Sequence, residues 1–347
     1  MFWKQIFISL EGKKDLSKDQ IDWCLSQILE GRATQEYINN LFSKLHTKGE
    51  SVQEIEATLS HLKKYSSPIN IPERTIYTVG TGESLNNSLN IATLAAIVTN
   101  AAGARVVISD NPFLGRSSDS AEILQTLGVK VDLTAGEIEQ SIHKIGIGFY
   151  SKQLFDSSLN ILASNILASE EEENLLATLK AILNPFDSVA IAIGTARSHS
   201  LQKFAHILSS LGKEGFVFKG DDDTDKVSLA TSTTVIQISK GKLKMVTFNP
   251  SDIGVSTNQQ AIFPDQDLKL NLQLIHQAFA GKSGPVRDLI TLNAALSIAA
   301  FKADFDIPVE AQLANGFVLA NKAIDSGAVQ LALNRWIKMS NELVSAR

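Results

Sequence analysis

From residue 75 onward, short β-branched or aromatic runs alternate with longer stretches of helical spacing, and glycines mark most of the changes. No other feature narrows the fold as far, because a strand can return parallel to its neighbour only through a long crossover, usually a helix. TIYTVG (75–80) reads as the first strand and RVVIS (105–109) as the second, with VKVDL (129–133) a third extended run. Between them lie helices over Asn90–Ala102, stopped by Gly103, and over Ser120–Leu127, closed by Gly128. SVAIAIG (188–194) and GFVFKG (215–220) are further strands around a helix at Leu201–Leu211. TTVIQISKGKLKMVTF (233–248) reads as a hairpin turning at Lys240-Gly241-Lys242, and residues 266–345 are mostly helical. The pattern predicts an α/β fold with a mostly parallel central sheet flanked by helices.

The first 65 residues carry helical signals only. Ser17 and Gln20 form a capping box ahead of Ile21, Leu25, Ile28 and Leu29. Thr34 starts a second helix with Tyr37, Ile38, Leu41, Phe42 and Leu45 on one face, and Ser51 a third with Ile55, Leu59 and Leu62. Three short amphipathic helices cannot hide their stripes separately, so they are expected to form a bundle. YSSPINIP (65–72) then reads as a linker. A further helix is expected over 170–183, where four glutamates suit a helix start.

Composition excludes several classes. The net charge of −5 gives no general field toward nucleic acid or anionic membrane. The only cysteine, Cys24, has no partner for an internal disulfide and reads as buried packing. No apolar run approaches the ~20 residues of a membrane span, and the start MFWKQIFISLEGKKDLS lacks signal-peptide grammar, so a cytoplasmic location is expected. The six histidines show no zinc-ligand spacing. Asp221, Asp222, Asp223 and Asp225 read as a solvated turn, with a metal site as the alternative. Arg197 and His199 follow a strand end, where ligands of α/β sheets sit.

Gly80-Thr81-Gly82 lies between a strand and a helix rich in small residues. Such a loop lets backbone amides approach an anion, and an unliganded tight turn uses the same residues. The surrounding stretch is more specific. GTGESLNNSLNIATLAAIVTNAAGARVV (80–107) and SDNPFLGRSSDSAEILQTLGVKVDL (109–133) resemble two signatures of the anthranilate phosphoribosyltransferase family, GTGGDG…TxNIST and KHGNR…SS…GSADVLEALG. HKIGIGFYSKQLFDSSLN (143–160), the NP at 184–185, FKGDDDTDKVS (218–228), GKSGPVRDLITLNAAL (281–296) and AIDSGAVQLAL (323–333) follow in the family's order, and the N-terminal helices match as well. The resemblance covers nearly the whole chain. It implies a helical domain over 1–68, joined in space by helices from about 165–185, and an α/β phosphoribosyltransferase-like domain over 72–347. It also implies a tryptophan-pathway glycosyltransferase, a homodimer through the helical domain, and a cleft at the hinge for phosphoribosyl pyrophosphate and magnesium.

Carried over position by position, the resemblance gives a substrate pocket of Gly80, Thr81, Gly82, Ser88, Asn90, Thr93 and Ser120. Asn111 falls on the acceptor side, Arg116 is a new cation in the second signature, and Asp225 remains a metal ligand. Other positions depart from the family pattern. Glu83 and Ser84 replace a glycine and an aspartate, Ala92 a magnesium-ligating serine, and Ile108 and Ser109 a lysine and a histidine. Lys226 replaces the second acid at the other magnesium. The anthranilate-facing arginine has no counterpart near 164–170. Two like charges ~4 Å apart repel by ~4 kcal/mol at an effective dielectric near 20, so these changes predict weak binding of the usual donor and a departure from ordinary anthranilate chemistry. The expected function is a divergent family member that binds an anionic ribosyl or phosphate ligand, as a pentosyltransferase if active. The alternative is a non-catalytic binding or regulatory protein, with nucleic acid as one partner class.

Overall fold

The structure, a computed structural model, describes residues 2–65, 69, 71–81, 90–109, 120–151, 158, 161–162, 164, 178–179, 181–184, 186–256 and 268–347. Two compact units result, one of Met1–Pro68 with Gln153–Pro185 and one of Ile69–Lys152 with Phe186–Arg347. The helix expected over 170–183 falls largely outside the described residues.

In the first unit, α1 (Trp3–Glu11), α2 (Lys18–Leu29), α3 (Gln35–Lys48) and α4 (Val52–Lys63) begin where the sequence places caps, apart from α1, which sequence patterning does not single out. Ser17 accepts from the Gln20 amide while Gln20 accepts from that of Ser17, and Ser51 and Glu54 repeat the arrangement. These contacts satisfy amides that the first helical turn leaves without partners. Ile21, Leu25, Ile28, Ile38, Leu41, Phe42, Leu45, Ile55, Leu59 and Leu62 are buried as their spacing predicts, but Leu29 is only half-buried. Tyr37 also departs from the expected stripe: it is exposed and stacks on Trp3, with ring centroids 5.2 Å apart. Cys24 is fully buried, and burial pushes its thiol up to about 12.

An ionic knot ties three of these segments together. The Glu54 carboxylate accepts from the Leu16 amide at 2.8 Å, the Ser51 amide at 2.8 Å and Lys48 Nζ at 2.8 Å, and Lys48 also reaches Asp15 at 2.6 Å. Burial disfavours the Lys48 ammonium, yet its bonds to Asp15 and Glu54 prevail and raise it above the ordinary lysine value.

The second unit is built on a seven-stranded sheet of order β3-β2-β1-β4-β5-β6-β7. The strands are β1 (Ile76–Gly80), β2 (Val106–Ser109), β3 (Ile147–Tyr150), β4 (Ala190–Gly194), β5 (Glu214–Gly220), β6 (Thr233–Ser239) and β7 (Lys242–Phe248). Pairings from β3 through to β5 are parallel, and β6 and β7 add an antiparallel edge. Lys240 (φ 48°) and Gly241 (φ 74°) form the two-residue β6–β7 loop, the left-handed pair that a tight hairpin requires.

One strand expectation is overturned. Residues 129–133 join no ladder, and their first two amides are engaged elsewhere: Val129 N donates to Leu124 O at the end of α6 (Ser120–Thr126), and Lys130 N donates to Ser340 Oγ. The place beside β2 belongs to Ile147–Tyr150. Gly148 makes that possible, since a side chain there would run into Ile142 of α7 (Ala135–Ile145) at 2.7 Å. Helix α7 is likewise an element that sequence reading did not isolate; Thr134 and Glu137 form its capping box.

Helices α5 (Ile91–Ala101), α8 (Ser198–Ser210), α9 (Leu268–Phe279), α10 (Pro285–Lys302), α11 (Val309–Asp325) and α12 (Ala328–Ser345) complete the unit. Small residues let them pack closely. Gly316 of α11 approaches Ala295 of α10 so nearly that an added Cβ would lie 2.3 Å from its carbonyl oxygen. Among the described residues no helix is long and apolar enough to cross a membrane.

The ionic knot generates a prediction. Glu54→Ala leaves two amides unpaired inside the bundle and takes from Lys48 one of its two carboxylate partners, and should lower the stability of the helical unit by about 3 kcal/mol in urea denaturation. A loss below about 1 kcal/mol would show that solvent reaches these groups freely.

Candidate functional site

Strand order reverses between β1 and β4: from β1 the chain winds outward through β2 to β3, then returns to β4 and winds the other way through β5. At such a switch point the crossovers leave in opposite directions and open a crevice beyond the carboxyl ends of the strands. Gly80 and Gly194 pair with each other at that point.

Both glycines are required by what lies on them. A Cβ on Gly194 would sit 1.9 Å from the backbone oxygen of Asp225, and one on Gly80 would sit 2.6 Å from the Asp225 carboxylate. The segment after β5 therefore crosses directly over the ends of β1 and β4. Asn293 of α10 clamps it on the far side, accepting from Val227 N at 2.8 Å and donating to Val227 O at 3.1 Å. Thr81 and Thr195, both fully buried, continue the two strands; Thr81 N donates to Gly194 O and Thr195 N to Phe218 O.

Across the carboxyl end, Asn90 caps α5. Its Oδ1 accepts from Thr93 N at 3.1 Å and its Nδ2 donates to Ser120 Oγ at 2.7 Å, so one side chain ties the starts of α5 and α6 together. Thr93 Oγ1 is fully buried and, among the described residues, has no hydrogen-bond partner. An orphaned hydroxyl beside the free amides of a helix N-terminus is equipped to receive an oxyanion.

The acidic cluster resolves into a hydroxyl-bonded turn. Asp222 accepts from Thr224 Oγ1 at 2.7 Å and Ser228 Oγ at 2.8 Å, Asp221 accepts from Ser232 and Thr234, and Asp223 pairs with Lys219 at 2.7 Å. Asp225 and Lys226 are half-buried beneath it. Burial pushes the Lys226 ammonium below the ordinary lysine value, while Asp225 and Asp222 act in the opposite sense.

The structure thus brings Gly80, Thr81 and Asp225 together over the switch point, and Asn90, Thr93 and Ser120 around the start of α5. Gly82, Ser88, Asn111 and Arg116 lie outside the described residues. Arg197 is half-buried ahead of α8, and His199 is exposed in its first turn. Ile108 faces the apolar core, and Ser109 exchanges a 2.7 Å hydrogen bond with the Tyr77 hydroxyl, both buried. Sequence reading missed Gly194 as a contact point and Asn293 as the clamp. The only signal for Asn293 is a lone amide in an apolar helical run.

Comparisons with known proteins agree with this architecture. The helical bundle domain of a glycosyl transferase family matches residues 5–64, and its α/β domain matches residues 73–330. The chain is 31% identical over 337 residues to an anthranilate phosphoribosyltransferase from a Nocardioides species, covering 96% of this chain and 98% of that protein. An Arthrobacter anthranilate phosphoribosyltransferase is 31% identical over 340 residues, with 97% and 96% covered. Among solved structures, anthranilate phosphoribosyltransferase from Thermus thermophilus superposes with a TM-score of 0.81 at 22% identity, over 97% of this chain and 99% of that one. The Saccharomyces cerevisiae enzyme in complex with PRPP and Mg gives 0.82 at 17% identity, over 98% of each chain.

The two glycines should differ in tolerance. Gly194→Ala meets backbone and must displace the 221–227 segment, whereas Gly80→Ala meets the end of a short side chain. Thermal denaturation should show the first to be the more damaging, by about 1–3 kcal/mol as for an overpacked core. Equal losses would mean that the segment does not rest on Gly194.

Proposed function

The chain belongs to the anthranilate phosphoribosyltransferase family, and from that premise we propose that its α/β unit binds an anionic ribosyl phosphate at the carboxyl ends of β1 and β4, as a divergent, cytoplasmic pentosyltransferase. The observation that carries this reading is the buried, unpartnered Thr93 hydroxyl at the start of α5, behind the Asn90–Ser120 bridge. Gly80, Thr81, Asn90, Thr93 and Ser120 hold the phosphate side, together with Gly82, Ser88 and Arg116. Asn111 serves the acceptor. Transfer of a ribosyl group from pyrophosphate needs no protein nucleophile, only orientation of the two reactants and stabilisation of the departing negative charge.

A yeast relative is known in complex with PRPP and Mg. Magnesium demands about six oxygens in near-octahedral array, usually from one or two carboxylates, phosphates and water. Here Ala92 offers a methyl group, Asp225 one carboxylate, and its neighbour Lys226 an ammonium; the oxygens of Asp222 are occupied by Thr224 and Ser228. Among the described residues no three acidic, histidine or cysteine side chains gather to hold a metal. We read this donor set as unfit for the ion and assign it no step.

The helical unit is read as the face on which a second copy docks. In support, Phe2 is 72% and Ile8 58% exposed, beside the stacked Trp3, Phe7 and Tyr37.

Calorimetric titration with phosphoribosyl pyrophosphate should give saturable heat, and Thr93→Val should weaken binding about tenfold, as befits one lost hydrogen bond. Absence of heat at millimolar ligand, with and without magnesium, would end the ribosyl-phosphate reading. For the second-copy face, light scattering should give twice the monomer mass and Ile8→Asp should reduce it to one; an unchanged dimer would move the interface elsewhere.

A further inference from the structure

We propose that the outer edge of β7 is a docking strip for an acidic extended peptide, which joins the sheet there as a further strand. The inference goes beyond the ribosyl-phosphate reading and does not depend on it.

The two ends of the sheet differ. At one end every residue of β3 is buried, whereas at the other Lys242, Lys244, Met245 and Thr247 of β7 are exposed. The whole of β7 pairs with β6, and among the described residues none of 242–248 makes a hydrogen bond outside that ladder. A strand paired on one side presents free amides and carbonyls on the other, ready to take up another strand. Because side chains alternate, Lys242 and Lys244 share one face of the sheet with Val246 and Phe248, and Met245, 51% exposed, lies on the other. Lys240 extends the run of cations into the turn. Gln237, opposite Lys244, reaches the Phe305 carbonyl between the exposed Asp304 and Asp306, yet among the described residues none of the three lysines forms an ion pair.

Charge selects the occupant. A second copy of β7 pairing antiparallel would bring both pairs of lysines onto one face. With full overlap, centred on Met245, Lys244 would stand diagonal to its own copy at roughly 7–8 Å, which is unfavourable for like charges. The same lysines that bar self-pairing favour a strand carrying Asp or Glu at alternate positions. The residue between two such acids faces Met245, so an apolar side chain fits there. A nucleic-acid strand would need aromatic faces for its bases beside the cations. The one aromatic residue of β7, Phe248, is fully buried.

The test uses the full chain and fluorescence anisotropy of a short, capped, dye-labelled peptide alternating Glu with Val. Saturable binding is expected for this peptide and none for its Lys–Val counterpart. Lys242→Glu combined with Lys244→Glu should weaken the Glu–Val peptide about tenfold or more, the size of two surface ion pairs lost and reversed, and should admit the Lys–Val peptide. Thermal melts report whether the double variant, altered only at exposed positions, is folded. A second arm needs no variant. Peptides N-methylated at every other residue, in the two alternative phases, keep their charge, but one phase blocks the ladder; that phase should abolish binding and the other should retain it within a few-fold. The absence of saturable binding would overturn the proposal. Binding that survives both N-methylated phases would reduce it to adhesion by charge, and native-like binding by the folded double variant would overturn it too. Equal or tighter capture of single-stranded oligothymidylate would reassign the strip to nucleic acid.

Discussion

A backbone carbonyl cannot occupy the volume of a β-carbon, and the centre of the α/β unit is organised around that exclusion. The segment after β5 passes so close to β1 and β4 that Gly194, and more mildly Gly80, must lack side chains. Close passage removes solvent from a polar stretch, and each buried polar group there must then find a partner. The network of Thr224, Ser228, Thr233 and Asn293 answers that demand. Asn293, on a largely apolar stretch of its helix, meets both the amide and the carbonyl of Val227.

The same passage explains why scaffold and ligand chemistry separate in this protein. Packing at the switch point depends on glycines and on an amide clamp, and tolerates little change. In the reading proposed above, the chemistry of the site depends on single side chains such as those at 92 and 226, which can be exchanged without disturbing a strand. A chain can therefore share its family's architecture from end to end and still present a different electrostatic surface to an anion. The Asn90–Ser120 bridge belongs with the scaffold, since it fixes the geometry of two helix starts. The Thr93 hydroxyl beside it is buried without a hydrogen-bond partner among the described residues, and the proposed chemistry rests on it.

The helical unit follows another economy. Its described interior is held by apolar stripes and by a buried ionic knot around Glu54, a group that is costly to desolvate and is compensated by two amides and Lys48. Its aromatic residues do not all go inside. Tyr37 has helical spacing with buried neighbours, yet it is exposed and stacks on Trp3.

Local chemistry was written plainly in the sequence. Serine and threonine caps at 17, 34 and 51 fixed helix starts, the Lys240-Gly241 pair fixed the hairpin, and the strand–helix alternation fixed the class of the larger unit, since each signal acts within a few residues. Gly80, Thr81, Asn90, Thr93 and Ser120 could be singled out because they lie along recognisable signatures. Other features depended on contacts between residues far apart in the chain. Whether 129–133 or 147–150 would stand beside β2 was decided by Ser340 capturing one amide and by Ile142 fitting against Gly148. The need for glycine at 194 arose from Asp225, and the need for asparagine at 293 from Val227. Propensity and periodicity carry no information about such encounters, so the sequence determined those elements whose signals lie within a few residues, and the tertiary structure alone decided which elements meet, which run becomes the strand beside β2 and what their meeting requires.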